Sequence, residues 1–255
     1  MVMTNRLFVL NCFNLVATHL YIQHMIQKFC LPVILCSVVF VCRAQVQVSK
    51  EPRHHNVFEN AHVRLLDVHI PAGDTSQIHI HSTPSVFLIL DQVRTGSQVF
   101  IEEDHSKSPV KNYGNIWFEG FYLQPRIHRV WNSDTSEFHV MDIELPNKNY
   151  ITIDPPVQRD GFIFLFDEKP VRAYRLKLVP SQTINLSSRK ADILMIRLTD
   201  LSGPVQTNET VYRERITNGR VLGKKGDFVY FRSGNPIEIK NDGDSTVEFA
   251  FFELK

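Results

Sequence analysis

Beyond Cys42 the sequence has no cysteine: all four, Cys12, Cys30, Cys36 and Cys42, fall within the first 44 of 255 residues. A thiol nucleophile, a thiolate-held metal and a disulfide framework are therefore excluded from residues 45–255, whose stability must come from core packing. A surplus of charge is missing too. The chain carries 28 Lys and Arg against 27 Asp and Glu. Because the first 44 residues hold Arg6, Lys28 and Arg43 and no acid, the remainder has 25 basic and 27 acidic residues. No basic surface suited to nucleic acid is indicated. Sustained helical periodicity is absent from windows of about a dozen residues. "GKKGD" at 223–227 lacks the following helix that a phosphate-binding loop requires.

The first 44 residues are organised as a leader. Met25 to Lys28 is a short basic start, residues 29–42 are apolar, and Cys42-Arg43-Ala44 is a small-x-small end. That is the layout of a secretory signal peptide cut after Ala44. Its apolar core of 14 residues is short of the roughly 20 needed to cross a bilayer as a helix. The expected protein is secreted or periplasmic, with no membrane span after cleavage. Met25 opens a complete leader by itself, so residues 1–24 are set aside as the product of an upstream start.

From residue 57 onward short runs rich in Val, Ile, Phe and Tyr alternate with Pro, Gly, Asn, Asp and Ser, as in "SVFLILD", "FHVMDIEL", "DILMIRLTD" and "VEFAFFEL". Such spacing predicts an all-β sandwich or barrel. The chain also resembles itself at an offset of 109 residues, with Asn132, Glu144 and Leu145 falling on Asn241, Glu253 and Leu254. Two β-domains of about 100 residues each are expected, at 45–148 and 149–255, joined near "PNKNYITIDPPVQRDG".

In "GDTSQIHIHSTPSVFLIL", His79 and His81 are two residues apart. On a strand they share one face, which is how a strand offers two imidazoles to one ion. His128, in "QPRIHRVWN", supplies a third. These residues resemble the motifs of the cupins. Gly73, His79 and His81 match the first motif, and His128 and Asn132 match the second, although Trp117, Leu123 and Pro125 stand where that motif has Gly, Pro and Gly. Gly226, Gly234 and Asn241 keep the second motif in the other half, with Ile237 in place of its histidine and Ser188 and Lys190 in place of the pair. The resemblance covers residues 56–255 and implies two tandem jelly-roll barrels, the second degenerate.

The resemblance further implies a metal held by His79, His81 and His128. The carboxylate that cupins place after the histidine pair would fall at Ser85 or Val86, and neither can serve. Three neutral imidazoles favour Fe, Zn, Ni or Cu over Mn or Mg. Period-two alternation sends Thr75, Gln77, Ser85, Phe87 and Ile89 toward the same cavity, with Arg126 and Val130 beside His128. Gln77, Ser85, Phe87 and Arg126 are thus the expected substrate contacts, the guanidinium suiting a small anion. Asp67, His69 and His139 are expected to be packed or surface residues, with His139 as a fourth ligand the alternative. His54, His55, His62 and His105 are expected to be solvated, and no general base is identifiable. Three readings stay open: a metal-dependent, dioxygenase-like enzyme, a non-catalytic module binding a small molecule or metal, and a structural pair of barrels that includes a homodimer.

Overall fold

The computed structural model describes residues 45–91, 93–99, 110–111, 113–200, 205–207, 211–212, 215–216 and 220–255. The expected leader and His105 lie outside them. The first ten strands are β1 (Val46–Gln47), β2 (His54–Glu59), β3 (Arg64–Ile70), β4 (His79–His81), β5 (Ser85–Ile89), β6 (Val93–Val99), β7 (Val110–Lys111), β8 (Ile116–Glu119), β9 (Arg126–Asn132) and β10 (Phe138–Glu144). After a strand-free stretch come β11 (Phe162–Asp167), β12 (Val171–Leu178), β13 (Thr183–Leu186), β14 (Asp192–Arg197), β15 (Val205–Thr207), β16 (Val211–Tyr212), β17 (Arg215–Ile216), β18 (Arg220–Leu222), β19 (Phe228–Phe231), β20 (Ile237–Asn241) and β21 (Val247–Leu254). One 3-10 turn at Val48–Lys50 is the sole helical element among the described residues, and none of their helices is long and apolar enough to cross a membrane.

Four sheets result, ordered β1-β4-β9-β6-β7, β2-β3-β10-β5-β8, β11-β12-β21-β14-β19-β16-β17 and β13-β20-β15-β18. We refer to them as the first to fourth sheets. Three apolar cores separate them. Leu66, Val68, Ile70 and Val140 pack with Val93 and Val130 between the first and second sheets. Leu65, Leu88, Met141 and Ile143 meet Ala173, Leu194, Ile196 and Phe252 between the second and third. Tyr174, Met195, Phe249 and Phe251 meet Ile184, Val205, Ile237 and Ile239 between the third and fourth.

The middle sheets are therefore covered on both faces, which explains their nearly continuous apolar text. Alternation on β10 shows it directly: Phe138 and Val140 face the first sheet, while Met141 and Ile143 face the third. The same strands form the wall of one barrel and its bearing on the other. Residues 45–255 make one compact unit.

Candidate metal centre

β4 and β9 pair antiparallel with His79 opposite His128 and His81 opposite Arg126. That register brings three imidazoles to one face of the first sheet, all of them buried. His79 Nε2 lies 3.1 Å from His81 Nε2, which is 3.0 Å from His128 Nε2. His79 Nδ1 is 2.8 Å from the Gln77 carbonyl. A carbonyl only accepts, so Nδ1 carries the hydrogen and Nε2 presents a bare lone pair in the neutral ring.

Lone pairs directed at one point repel unless a cation lies between them. With metal–nitrogen bonds of about 2.1 Å, two ligands at a right angle would be about 3.0 Å apart, which matches the two spacings observed. The residues present fit a divalent transition metal. Burial, followed by the positive field of His54, pushes the His79 pKa down to about 4. Burial and the neighbouring His128 hold His81 well below the ordinary histidine range. Both rings are neutral at physiological pH, the form that binds metal.

The histidines line a cavity of about 110 Å³, together with Val68, Ile70, Phe87, Trp117, Arg126 and Asp142. Phe87 stacks on Trp117, with ring centroids 5.3 Å apart. Phe121 takes a left-handed φ of 50°, rare for a bulky side chain, and stacks on His81 at 5.6 Å. Arg126 is part-exposed at the cavity wall, its guanidinium 4.0 Å from Glu119. Of the other expected contacts, Ser85 is fully buried and donates its hydroxyl to the Thr83 carbonyl at 3.1 Å. Gln77 is exposed and does not line the cavity. The reason is local: β4 begins only at His79, so strand alternation does not extend back to Gln77.

Two features of the cavity escaped sequence reasoning. One is Asp142, on β10 opposite Phe87 and fully buried, with Oδ2 3.4 Å from His81 Nδ1. Neither that nitrogen nor either carboxylate oxygen makes a well-formed hydrogen bond among the described residues, Ser85 being only a weak neighbour of the carboxyl. Burial, reinforced by Glu144 and opposed by Ser85, pushes the Asp142 pKa well above the carboxylate range. The carboxylate absent from positions 85 and 86 thus has a substitute on the adjacent strand, placed behind the His81 ring. Its only sequence signal was an acid in phase with the buried Phe138 and Val140.

The other is a buried pair, Glu51 and His54, which corrects the expectation that His54 is solvated. His54 Nδ1 is 2.6 Å from Glu51 Oε2, and its ring meets the His79 ring edge-on at 4.8 Å. The turn at Val48–Lys50 tucks Glu51 inward, where the Gln77 and Arg53 backbone N–H groups also donate to it, at 3.0 and 2.7 Å. Burial alone would raise the Glu51 pKa, but these hydrogen bonds, His54 first, bring it down to about 2. His139 is not a fourth ligand; it projects from the opposite face of the second sheet.

No protein-family model matches the sequence, and no curated protein is detectably similar to it. The fold does have likenesses among solved structures. AerE from Microcystis aeruginosa superposes with a TM-score of 0.55 at 10% identity, covering 80% of this chain and 98% of that one. Salicylate 1,2-dioxygenase from Pseudaminobacter salicylatoxidans gives 0.53 at 9% identity over 76% of this chain and 71% of that one. The oxalate decarboxylase of Lactobacillus farciminis gives 0.52 at 9% identity, with 77% and 78% covered. Two packed barrels, each closed from two antiparallel-rich sheets, together with these likenesses identify the fold of the chain as that of the two-barrel cupins.

Proposed function

We propose that the chain is an exported metalloprotein that binds Fe, Zn, Ni or Cu through His79, His81 and His128 and acts there on a small anionic substrate with dioxygenase-like chemistry. The observation that carries this reading is the convergence of three Nε2 atoms on the wall of a cavity that Arg126 also lines. When bound, the metal supplies Lewis-acid or redox chemistry at its open positions.

The chain's own residues account for the rest. Arg126 offers a guanidinium to a carboxylate. Phe87, Trp117 and Ile70 keep the cavity apolar, which strengthens that attraction. His54, held by Glu51, gives the cavity a fourth imidazole for hydrogen bonding to a bound ligand. A cavity of about 110 Å³ is smaller than the roughly 150 Å³ that accommodates benzene, so a small acid suits it better than an enclosed aromatic one. Two of the similar folds are named as a dioxygenase and a decarboxylase of organic acids. Export rests on the layout of residues 25–44 alone.

A second reading, binding without turnover, is favoured by one observation: Asp142, the one carboxylate lining the cavity among the described residues, lies behind His81 and not on the ligand-facing side of the imidazoles. Elemental analysis tests the shared premise. The protein purified without chelator should carry one transition metal per chain, and His128→Ala should lose it. Metal absent from both, with no uptake on titration, would overturn the proposal. Given a metal, oxygen uptake and substrate loss with small carboxylic acids separate enzyme from binder. Binding of the acid that Arg126→Gln weakens, without turnover, selects the binder.

A further inference from the structure

The reverse face of the second sheet carries another convergent set of metal-binding atoms. On β3, Asp67 and His69 are two apart and share a face, and His139 on β10 is directly opposite His69. Val68, Ile70 and Val140, which alternate with them, face the cavity of the first barrel. The backbone arrangement is that of the three-histidine centre, where His79 and His81 share a face of β4 and His128 is opposite His79.

Asp67 Oδ1 is 2.7 Å from His139 Nε2 and 3.2 Å from His69 Nε2. The two rings are stacked, with centroids 4.2 Å apart and planes 21° from parallel. Their outer nitrogens meet further carboxylates: His69 Nδ1 lies 2.7 Å from Glu137 Oε1, and His139 Nδ1 lies 3.7 Å from Asp91 Oδ2. Glu137 stands behind the His69 ring as a carboxylate does behind a metal-bound imidazole, and both Nε2 atoms converge with Asp67 Oδ1 on one point. Without metal, Asp67 accepts hydrogen bonds from the Nε2–H groups of His139 and His69. A divalent cation at the same point takes the place of those protons and gathers all three donors.

Glu137 and Asp91 add negative charge around the set. Lys225, the nearby cation, is engaged with Asp91 and with Asp200, the latter at 3.3 Å. Gly226 closes one side: a Cβ there would approach His139 Cε1 to 3.3 Å. All three donor residues remain part-exposed, so an ion can enter from solvent.

We propose that Asp67, His69 and His139 form a second, solvent-accessible site for a divalent transition metal, separate from the three-histidine centre and behind the sheet that walls it. Two imidazoles and one carboxylate suit Zn²⁺ or Fe²⁺ and leave coordination positions open. The site binds more weakly than the buried centre, because water competes for it.

Zinc titration of the purified chain, with its first metal in place, tests the site. The wild-type chain should take up one further equivalent. Asp67→Asn and His139→Gln, which keep the side-chain volumes, should each retain the first metal and bind the added equivalent at least tenfold more weakly. His128→Ala, lacking the first metal, should still take up one equivalent. No further uptake by the wild-type chain at millimolar zinc would overturn the inference, as would uptake that both Asp67→Asn and His139→Gln leave unchanged. A protein without metal as purified that nevertheless binds one Asp67-dependent equivalent would refute the three-histidine centre and uphold this one.

Discussion

Asn132 in the first barrel and Asn241 in the second make the same corner. Asn132 Nδ2 donates to the Ile70 and Ser136 carbonyls at 3.0 and 2.7 Å, and its Oδ1 accepts from Asp134 N at 2.9 Å. Asn241 Nδ2 donates to Leu178 and Ser245 at 3.1 and 2.9 Å, and its Oδ1 accepts from Gly243 N at 3.0 Å. Beside these matching corners the interiors diverge. Ile237 stands at the position of His128, and its cross-strand partner Leu186 at that of His79. Phe251, between Tyr174 and Met195, stands where Asp142 lies between Leu66 and Phe87. A barrel closed by the same hydrogen bonds can be filled with hydrocarbon or left with a polar cavity, so the frame and the site are separable.

The largest break in this comparison would come from giving the second barrel the first barrel's acid. Phe251→Asp removes a fully buried ring and places a carboxyl in a closed core, at a cost of more than about 4 kcal/mol. Denaturant unfolding should show little or no folded protein; a stable variant would mean that the second barrel has room for a polar site.

Next in size is an acid-dependent contribution from one buried pair in the first barrel. The folded-state pKa of Glu51 is depressed from 4.5 to about 2. Its stabilisation is therefore complete above the unfolded value and is lost as pH falls through the folded one. The contribution at neutral pH is about 3 kcal/mol, and it should disappear between about pH 5 and pH 2. Glu51→Gln should reduce the loss of stability across that window by about that amount. In the second barrel the buried acid Glu253 is held by Arg172 and Arg189, at 3.1 and 2.6 Å, and not by an imidazole.

The smallest effect tests the shared corner itself. Asn132→Ala and Asn241→Ala should each cost about 2 kcal/mol and agree within about 0.5 kcal/mol, measured by thermal or chemical unfolding. A clear inequality would show that the two corners do not bear equal load.

Strand alternation made much of the site legible. His79 and His81 share a face, and Phe87, Ile89, Arg126 and Val130 line the same cavity, while the cupin resemblance placed His128 with the pair. What sequence spacing could not supply was which strands become neighbours. Asp142 reaches His81 because β10 belongs to the sheet opposite β4, and His54 reaches the cavity because a turn buries Glu51. The counterparts of the histidine pair were displaced for a similar reason: a constant offset points to Ser188 and Lys190, whereas strand register puts Leu186 opposite Ile237. Gln77 failed at a boundary, since alternation holds only inside a strand.

The core between the second and third sheets ties the two barrels together by packing alone. Leu65, Val86, Leu88, Met141 and Ile143 cover the back of the sheet whose front walls the cavity, and they meet Ala173, Leu194, Ile196, Phe252 and Leu254. A first barrel on its own would show that back to water as an adhesive apolar sheet face. The second barrel, which contains no histidine, keeps that face from water with hydrocarbon alone.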